Sequence, residues 1–232
     1  MEIQGGGVPV IFFTMYDFIT KIIAIFSEWN WSEILKICIS AWMAYIATRA
    51  LQNWKRQSKA QQKTEFLDRL TDAVHEFIAH IATPVEMIGN IKIGIECYGE
   101  KSHTDLDRVN PGTITYIQKH GEEDAKKLYE YLKPCTLVLS KIQSLVAKGQ
   151  VFGLKNYPEC QKSCGLIIAQ YEKVQAFCSI IGSPSLNWDN PEVQAVLSNV
   201  LKISAADLTK QLQDQNVKFL AFVKESYGAT YQ

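Results

Sequence analysis

The chain has 232 residues, with 24 basic and 24 acidic side chains and 47% hydrophobic residues. Zero net charge argues against a general nucleic-acid binder, which needs surplus positive charge to neutralise phosphates, and the apolar content argues against a disordered chain. The averages conceal an asymmetry: residues 1–54 carry seven charged side chains and four of the five tryptophans, and residues 55–232 carry the other 41 charges.

The first apolar stretch, residues 8–27, reads VPVIFFTMYDFITKIIAIFS and is long enough as a helix to cross a bilayer. Asp17 and Lys21 interrupt it at i, i+4, so they share one helical face and can pair. With Thr14 and Glu28 they form a narrow polar stripe opposite Ile11, Met15, Phe18, Ile19, Ile22 and Phe26. Two arrangements fit this pattern. One is a transmembrane hairpin whose stripe faces the next helix across a short turn at residues 28–32; the other is an in-plane helix with its polar face toward water. The hairpin is favoured, because the stripe is narrow and lacks the Lys/Arg-rich face of an interfacial helix. It places both termini in the cytoplasm and Asp17 and Lys21 near mid-membrane, where ionisable groups mark either a functional site or a neutralised structural pair. The opening residues, MEIQGGG, hold no Lys or Arg for a signal-peptide n-region.

The second stretch, residues 31–51, reads WSEILKICISAWMAYIATRAL, with Ser32 suited to cap it. Its charge-free run, 37–48, gives only about 18 Å of helix, short of a hydrocarbon core of about 30 Å. The flanks extend it. Lys36 and Arg49 sit near opposite ends and can lay their stems along apolar surface while the charges reach the headgroups. Glu33 lies three residues before Lys36, within ion-pair range on a helix. Trp31 and Trp54 stand roughly 34 Å apart as helix, a spacing for indoles at two interfaces, and Trp29 joins them as an anchor. Lys55, Arg56, Lys59 and Lys63 follow, with no acid until Glu65, and such a positive flank favours the cytoplasmic side. The expectation is an inner (plasma) membrane anchor over residues 1–54, with the bulk of the chain cytoplasmic. A buried helix of a soluble protein is the competing reading.

Beyond the anchor the chain reads as all-α: a helical stalk over 55–82, then an irregular cytoplasmic helical bundle over 83–232. Phe66, Leu67, Leu70, Ala73, Val74, Phe77, Ile78 and Ile81 recur at helical spacing up to Pro84. A stalk of that kind would couple the membrane span rigidly to the domain. Pro84 suits the first turn of a new helix carrying Ile88, Ile91, Ile93 and Ile95 to about Gly99, with a strand as the alternative. Residues 99–112 have turn chemistry. A helix over 113–148, with interruptions foreseen at Gly121 and Pro134, buries Leu128, Tyr131, Leu132, Cys135, Leu139, Ile142, Leu145 and Val146. Another runs over 159–181 with Leu166, Ile167, Tyr171, Val174, Phe177 and Ile181. Asn190 then caps a helix begun by Pro191, and Ser204 to Asp207 forms a capping-box arrangement for a last helix stopping at Gly228.

The chemical motifs are weak. His75 and His80 are five apart, which separates them by about 140° on a helix instead of the roughly 40° of a zinc-binding H-E-x-x-H pair. They read as solvated or helix-interface residues, and His103 and His120 suggest no partner. Cys97, Cys135, Cys160, Cys164 and Cys178 lack a C-x-x-C pair and read as small apolar packing residues, reduced in the cytoplasm; Cys38 lies in the proposed span. No phosphate loop or nucleophile elbow occurs. No metal, cofactor or catalytic residue is therefore expected, and an enzyme is the least favoured class.

What remains is a membrane-anchored, non-enzymatic effector or signalling protein, or a passive membrane-tethered scaffold. The expected partners are the lipid bilayer and either another protein or a second copy, held through the helical domain. In its two apolar segments at 8–27 and 31–51 and its basic stop at Lys55–Lys63, the chain resembles small membrane effectors of bacterial anti-phage systems, including those paired with retrons. The resemblance is one of architecture. It implies a transmembrane unit that damages the membrane and arrests growth once a silencing partner releases the helical domain, and it carries over no residue role.

Overall fold

A computed structural model describes residues 17–21, 23–24, 30–98 and 111–230. These residues form helices, turns and loops, with no strand among them. The chain divides into two compact units, Met1–Ser58 and Lys59–Gln232. Of the expected first helix at 8–27, only 17–21 and 23–24 are described, and these are helical. The rest of the hairpin's first arm, Trp29, and residues 99–110 with His103 lie outside the described residues.

Helix α1 runs Trp31–Tyr98. The carbonyl of Asn30 accepts the backbone N–H groups of Glu33 and Ile34 at 2.9 and 3.3 Å. Asn30 therefore occupies the cap position, two residues before the expected Ser32. From Phe66 onward α1 buries the foreseen stripe, Phe66, Leu67, Leu70, Ala73, Val74, Phe77 and Ile81, with Ile78 half-buried. The helix does not end before Pro84, and no strand follows. A proline inside a helix costs about 3 kcal/mol through its missing N–H and a clash with the preceding turn. Here the turns on both sides bury Phe77, Ile81, Val85 and Ile88, and that burial offsets the local penalty. Ile91 and Ile95 continue the buried face, whereas Ile93 points out.

The next helical run is continuous but not uniform. It comprises α2 (Pro111–Tyr116), a π-helical turn (Ile117–Gly121) and α3 (Glu122–Gly149). At Gly121 the expected interruption takes the form of this wide turn. A Cβ there would collide with the Ile181 carbonyl, so the glycine lets two segments approach more closely than any other residue would. Pro134 sits inside α3 without interrupting it. Leu128, Leu132, Cys135, Val138 and Ile142 form the buried face. Tyr131, expected in that stripe, is exposed, because it lies on the edge of the face that fronts an open groove.

A 3₁₀ turn (Gln150–Phe152) leads to α4 (Tyr157–Ile181), then α5 (Pro191–Leu201) and α6 (Ala205–Thr230). The Asn190 side chain accepts the Glu192 N–H at 2.9 Å, capping α5 as foreseen. Ser204 Oγ lies 3.5 Å from the Asp207 N–H, a long version of the expected cap. Gly228 does not stop α6, which continues to Thr230. Helix α4 is central, packing against α6 and α3 and, to a lesser extent, α5. It contributes Cys160, Cys164, Ile167, Val174, Phe177 and Ile181 to the core, while Leu166 faces outward.

Candidate functional site

The apolar first part of α1 is built differently from the helices of the helical domain. Its residues from Trp31 to Gln57 are all exposed except the half-buried Ile34. Trp42 is 65% exposed, against 7% for Trp188 in the helical domain, whose indole is packed in the core and donates to the Pro184 carbonyl at 3.1 Å. By length and composition this part of α1 can cross a membrane, and none of it is covered by the rest of the structure.

Its polar groups are satisfied within the helix. Ser40 Oγ donates to the Lys36 carbonyl at 2.8 Å, and Thr48 Oγ1 donates to the carbonyls of Ala44 and Tyr45 at 3.0 and 2.8 Å. Such back-bonding is how hydroxyls are accommodated where water is absent. The Arg49 guanidinium lies 6.0 Å from the Tyr45 ring centroid, which partly shields the charge at that end of the segment.

The candidate residues named from sequence are distributed as follows. Asp17 and Lys21 meet as an ion pair at 3.3 Å, both exposed. Glu33 and Lys36 make no such pair among the described residues. Trp31, Lys36, Arg49, Trp54, Lys55, Arg56 and Lys59 are exposed, and Lys63 is half-buried.

A second candidate lies in the helical domain and was missed from sequence. Tyr98 Oη is 2.6 Å from His120 Nε2, and the Tyr98 and Tyr116 rings meet edge to face with centroids 5.4 Å apart. Tyr116 Oη donates to Asp124 Oδ2 at 2.5 Å. Burial, and then this hydrogen bond, push the Tyr116 phenol well above its ordinary pKa, so it is a fixed donor and not a base. His120 therefore has partners, contrary to expectation. Its contact with Tyr98 spans 22 positions and is invisible to local spacing. The four-residue steps Tyr116, His120 and Asp124 were visible and place all three near one helical face. The π-helical turn crosses this cluster, and such turns recur at functional sites. Beside it lies an open groove of about 390 Å³ lined by Glu86, Asn90, Tyr116, Asp124, Lys127 and Tyr131. It offers carboxylates, an amide and a lysine to a polar partner.

The remaining nucleophiles are placed for packing. Cys135, Cys160, Cys164 and Cys178 are buried, and Cys38 and Cys97 are exposed. Burial holds the Cys135 thiol up at about 11. The hydrogen bond its thiol donates to Cys164, and then burial, raise Cys160 further, and burial alone raises Cys178. A thiol raised in this way is a poor nucleophile at neutral pH. His75 and His80 are exposed. Among the described residues no three His, Cys, Asp or Glu side chains converge as metal ligands.

The class that this geometry defines is coarse: an all-helical fold with, among the described residues, one long apolar helix segment near the N-terminus. In comparisons with known proteins, no family model matches the chain, and no curated protein or solved structure matches it at the significance required.

Proposed function

We propose that residues 31–54 cross the inner (plasma) membrane and that the chain is a membrane-anchored, non-enzymatic effector or signalling protein. Its cytoplasmic helical domain binds a partner protein or a second copy, and its transmembrane unit acts on the bilayer in the manner of a toxic anti-phage effector. The observation that supports this reading best is the uncovered apolar surface of α1, from Leu35 through Ile37, Ile39, Trp42, Met43, Ile46 and Leu51 to Trp54. A patch of that size is rare on a soluble monomer, and hydrocarbon is the medium that removes it from water. The Asp17–Lys21 pair supports a membrane role for the first arm, because neutralised charges are the form in which ionisable residues enter a bilayer. Binding in preference to catalysis is supported by the buried, up-shifted thiols and by the polar groove beside Tyr116.

The test is expression of the chain, alone and with Asp17→Leu and Lys21→Leu together, recording membrane potential and growth. An effector depolarises cells or halts growth, and the double substitution alters that outcome. Harmless accumulation in the membrane at high expression favours the passive scaffold, in which the Asp17–Lys21 pair is only structural.

A further inference from the structure

A small open cavity of about 200 Å³ lies within the helical domain, where α4, α5 and α6 meet. Lys173 on α4, Asn199 on α5, Lys202 and Ser204 in the connection, and Asp207 and Gln211 on α6 supply its polar lining. Its lysines are held without carboxylates. Lys173 Nζ donates to Gln170 Oε1 at 3.1 Å and to Gln211 Oε1 at 2.9 Å. Gln170 is only 2% exposed, and its own amide donates to the Leu166 carbonyl at 2.8 Å, so a buried, anchored side chain sets the place of the Lys173 ammonium. Lys202 Nζ donates to Asn199 Oδ1 at 3.3 Å. A third amine arrives from α1: Lys92 Nζ donates at 3.2 Å to the carbonyl of Ile203, itself a lining residue.

Amide oxygens orient an ammonium but do not cancel its charge. Asp207 is the one acid in the lining, and neither it nor any of the three lysines makes an ion pair among the described residues. Three lysines against one aspartate leave two positive charges uncompensated. Each ammonium has three donors, of which these contacts use two on Lys173 and one each on Lys202 and Lys92. Donors therefore remain for an incoming anion, and the Ser204 hydroxyl adds another. Size narrows the choice, because drug-sized ligands occupy roughly 300–1,000 Å³ and this cavity suits one small charged group. A phosphate monoester carries close to two negative charges and three strong acceptor oxygens, whereas a backbone or headgroup diester carries one charge.

We propose that this cavity binds a phosphate dianion, either free phosphate or a small soluble phosphate monoester, through Lys173, Lys202 and Ser204, with Lys92 adding its charge. The contacts come from separate elements, so the bound anion ties them together and gives the domain a small-molecule signal. The inference concerns the helical domain alone and stands whether or not residues 31–54 cross a membrane.

The test is equilibrium dialysis of the full chain in detergent against radiolabelled orthophosphate. Saturable binding at one site per chain is expected, displaced by glycerol phosphate, a monoester, and not by glycerophosphoglycerol, a diester lipid headgroup. Stronger displacement by glycerol phosphate than by unlabelled orthophosphate identifies an organic monoester as the ligand; the reverse order identifies free phosphate. Removing one charged donor with Lys173→Gln or Lys202→Gln is expected to weaken binding about tenfold, and Lys173→Arg to retain it. Asp207→Asn, which removes the opposing acid, is expected to tighten it. Lys202 is exposed, so Lys202→Gln carries the test even where Lys173→Gln disturbs the fold, which helical circular dichroism reports. No saturable binding, equal displacement by the diester, or unchanged affinity in Lys202→Gln overturns the inference.

Discussion

The two parts of helix α1 make the most informative comparison in the molecule. Residues 37–48 and residues 66–81 belong to one continuous helix, and both are rich in large apolar side chains. The first part leaves Ile37, Ile39, Trp42, Met43 and Ile46 exposed; the second buries Phe66, Leu70, Phe77 and Ile81. The difference is one of pattern. In 66–81 acids and bases fill the positions between apolar residues, so the helix has one dry stripe and one wet face. In 37–48 apolar residues point in all directions, and no single neighbouring helix can cover them. A helix apolar all round belongs inside a large core or a membrane.

The largest expected effect breaks the first part alone. Placing Asp at both Ile39 and Ile46 costs about 2.5–3.5 kcal/mol for each carboxylate near the centre of a span. The variant is expected to be lost from the carbonate-resistant membrane fraction. Cys38, shielded from a membrane-impermeant maleimide in the parent chain, is expected to become reactive, while Cys97 reacts in both. Unchanged membrane retention would show that the apolar surface is covered by something other than lipid.

The converse change belongs to the second part. Phe77→Ala removes a fully buried ring from the core, and such truncations cost about 3–5 kcal/mol. Denaturant unfolding of the full chain in detergent, followed by helical circular dichroism, is expected to show that loss. Membrane retention is expected to stay the same, because Phe77 contributes nothing to the exposed part. Loss of retention together with stability would mean that the two parts do not behave independently.

This contrast also explains what was legible in the sequence. The stripe from Phe66 to Ile81 was readable because helical periodicity is a local property, and the Asn190–Pro191 start of α5 because capping is too. Pro84 misled, because its helix-breaking rule is local while the burial of Val85, Ile88, Ile91 and Ile95 that overrides it comes from distant helices. Ser32 suits a cap by residue type, but the helix begins one residue before it, so the cap position falls on Asn30. The Tyr98–His120 contact escaped because its partners lie on different elements. The rest of the first arm, with Trp29, lies outside the described residues, and the roles of Asp17 and Lys21 rest on the expression experiment.

The smallest expected effect reads the same division through its thiols. Cys135 is fully buried, and burial raises it from an ordinary value near 9 to about 11. Below pH 9 the thiol is protonated in both folded and unfolded chains, and its contribution to stability is fully present. As pH rises from 9 the unfolded chain releases the proton while the folded chain keeps it, so stability falls until the folded value near 11 is passed. Cys160 and Cys178 are raised as well and push in the same direction. Tyr116 and Tyr157, also raised, act only above their ordinary value near 10, so the interval from pH 9 to 10 isolates the thiols. In that interval Cys135→Ala is expected to unfold with a shallower dependence on pH than the parent chain. Cys97→Ala, at an exposed position, is expected to match the parent. Equal slopes in all three would mean that the Cys135 thiol titrates alike in the folded and unfolded chains, and that its place in the core carries no electrostatic cost.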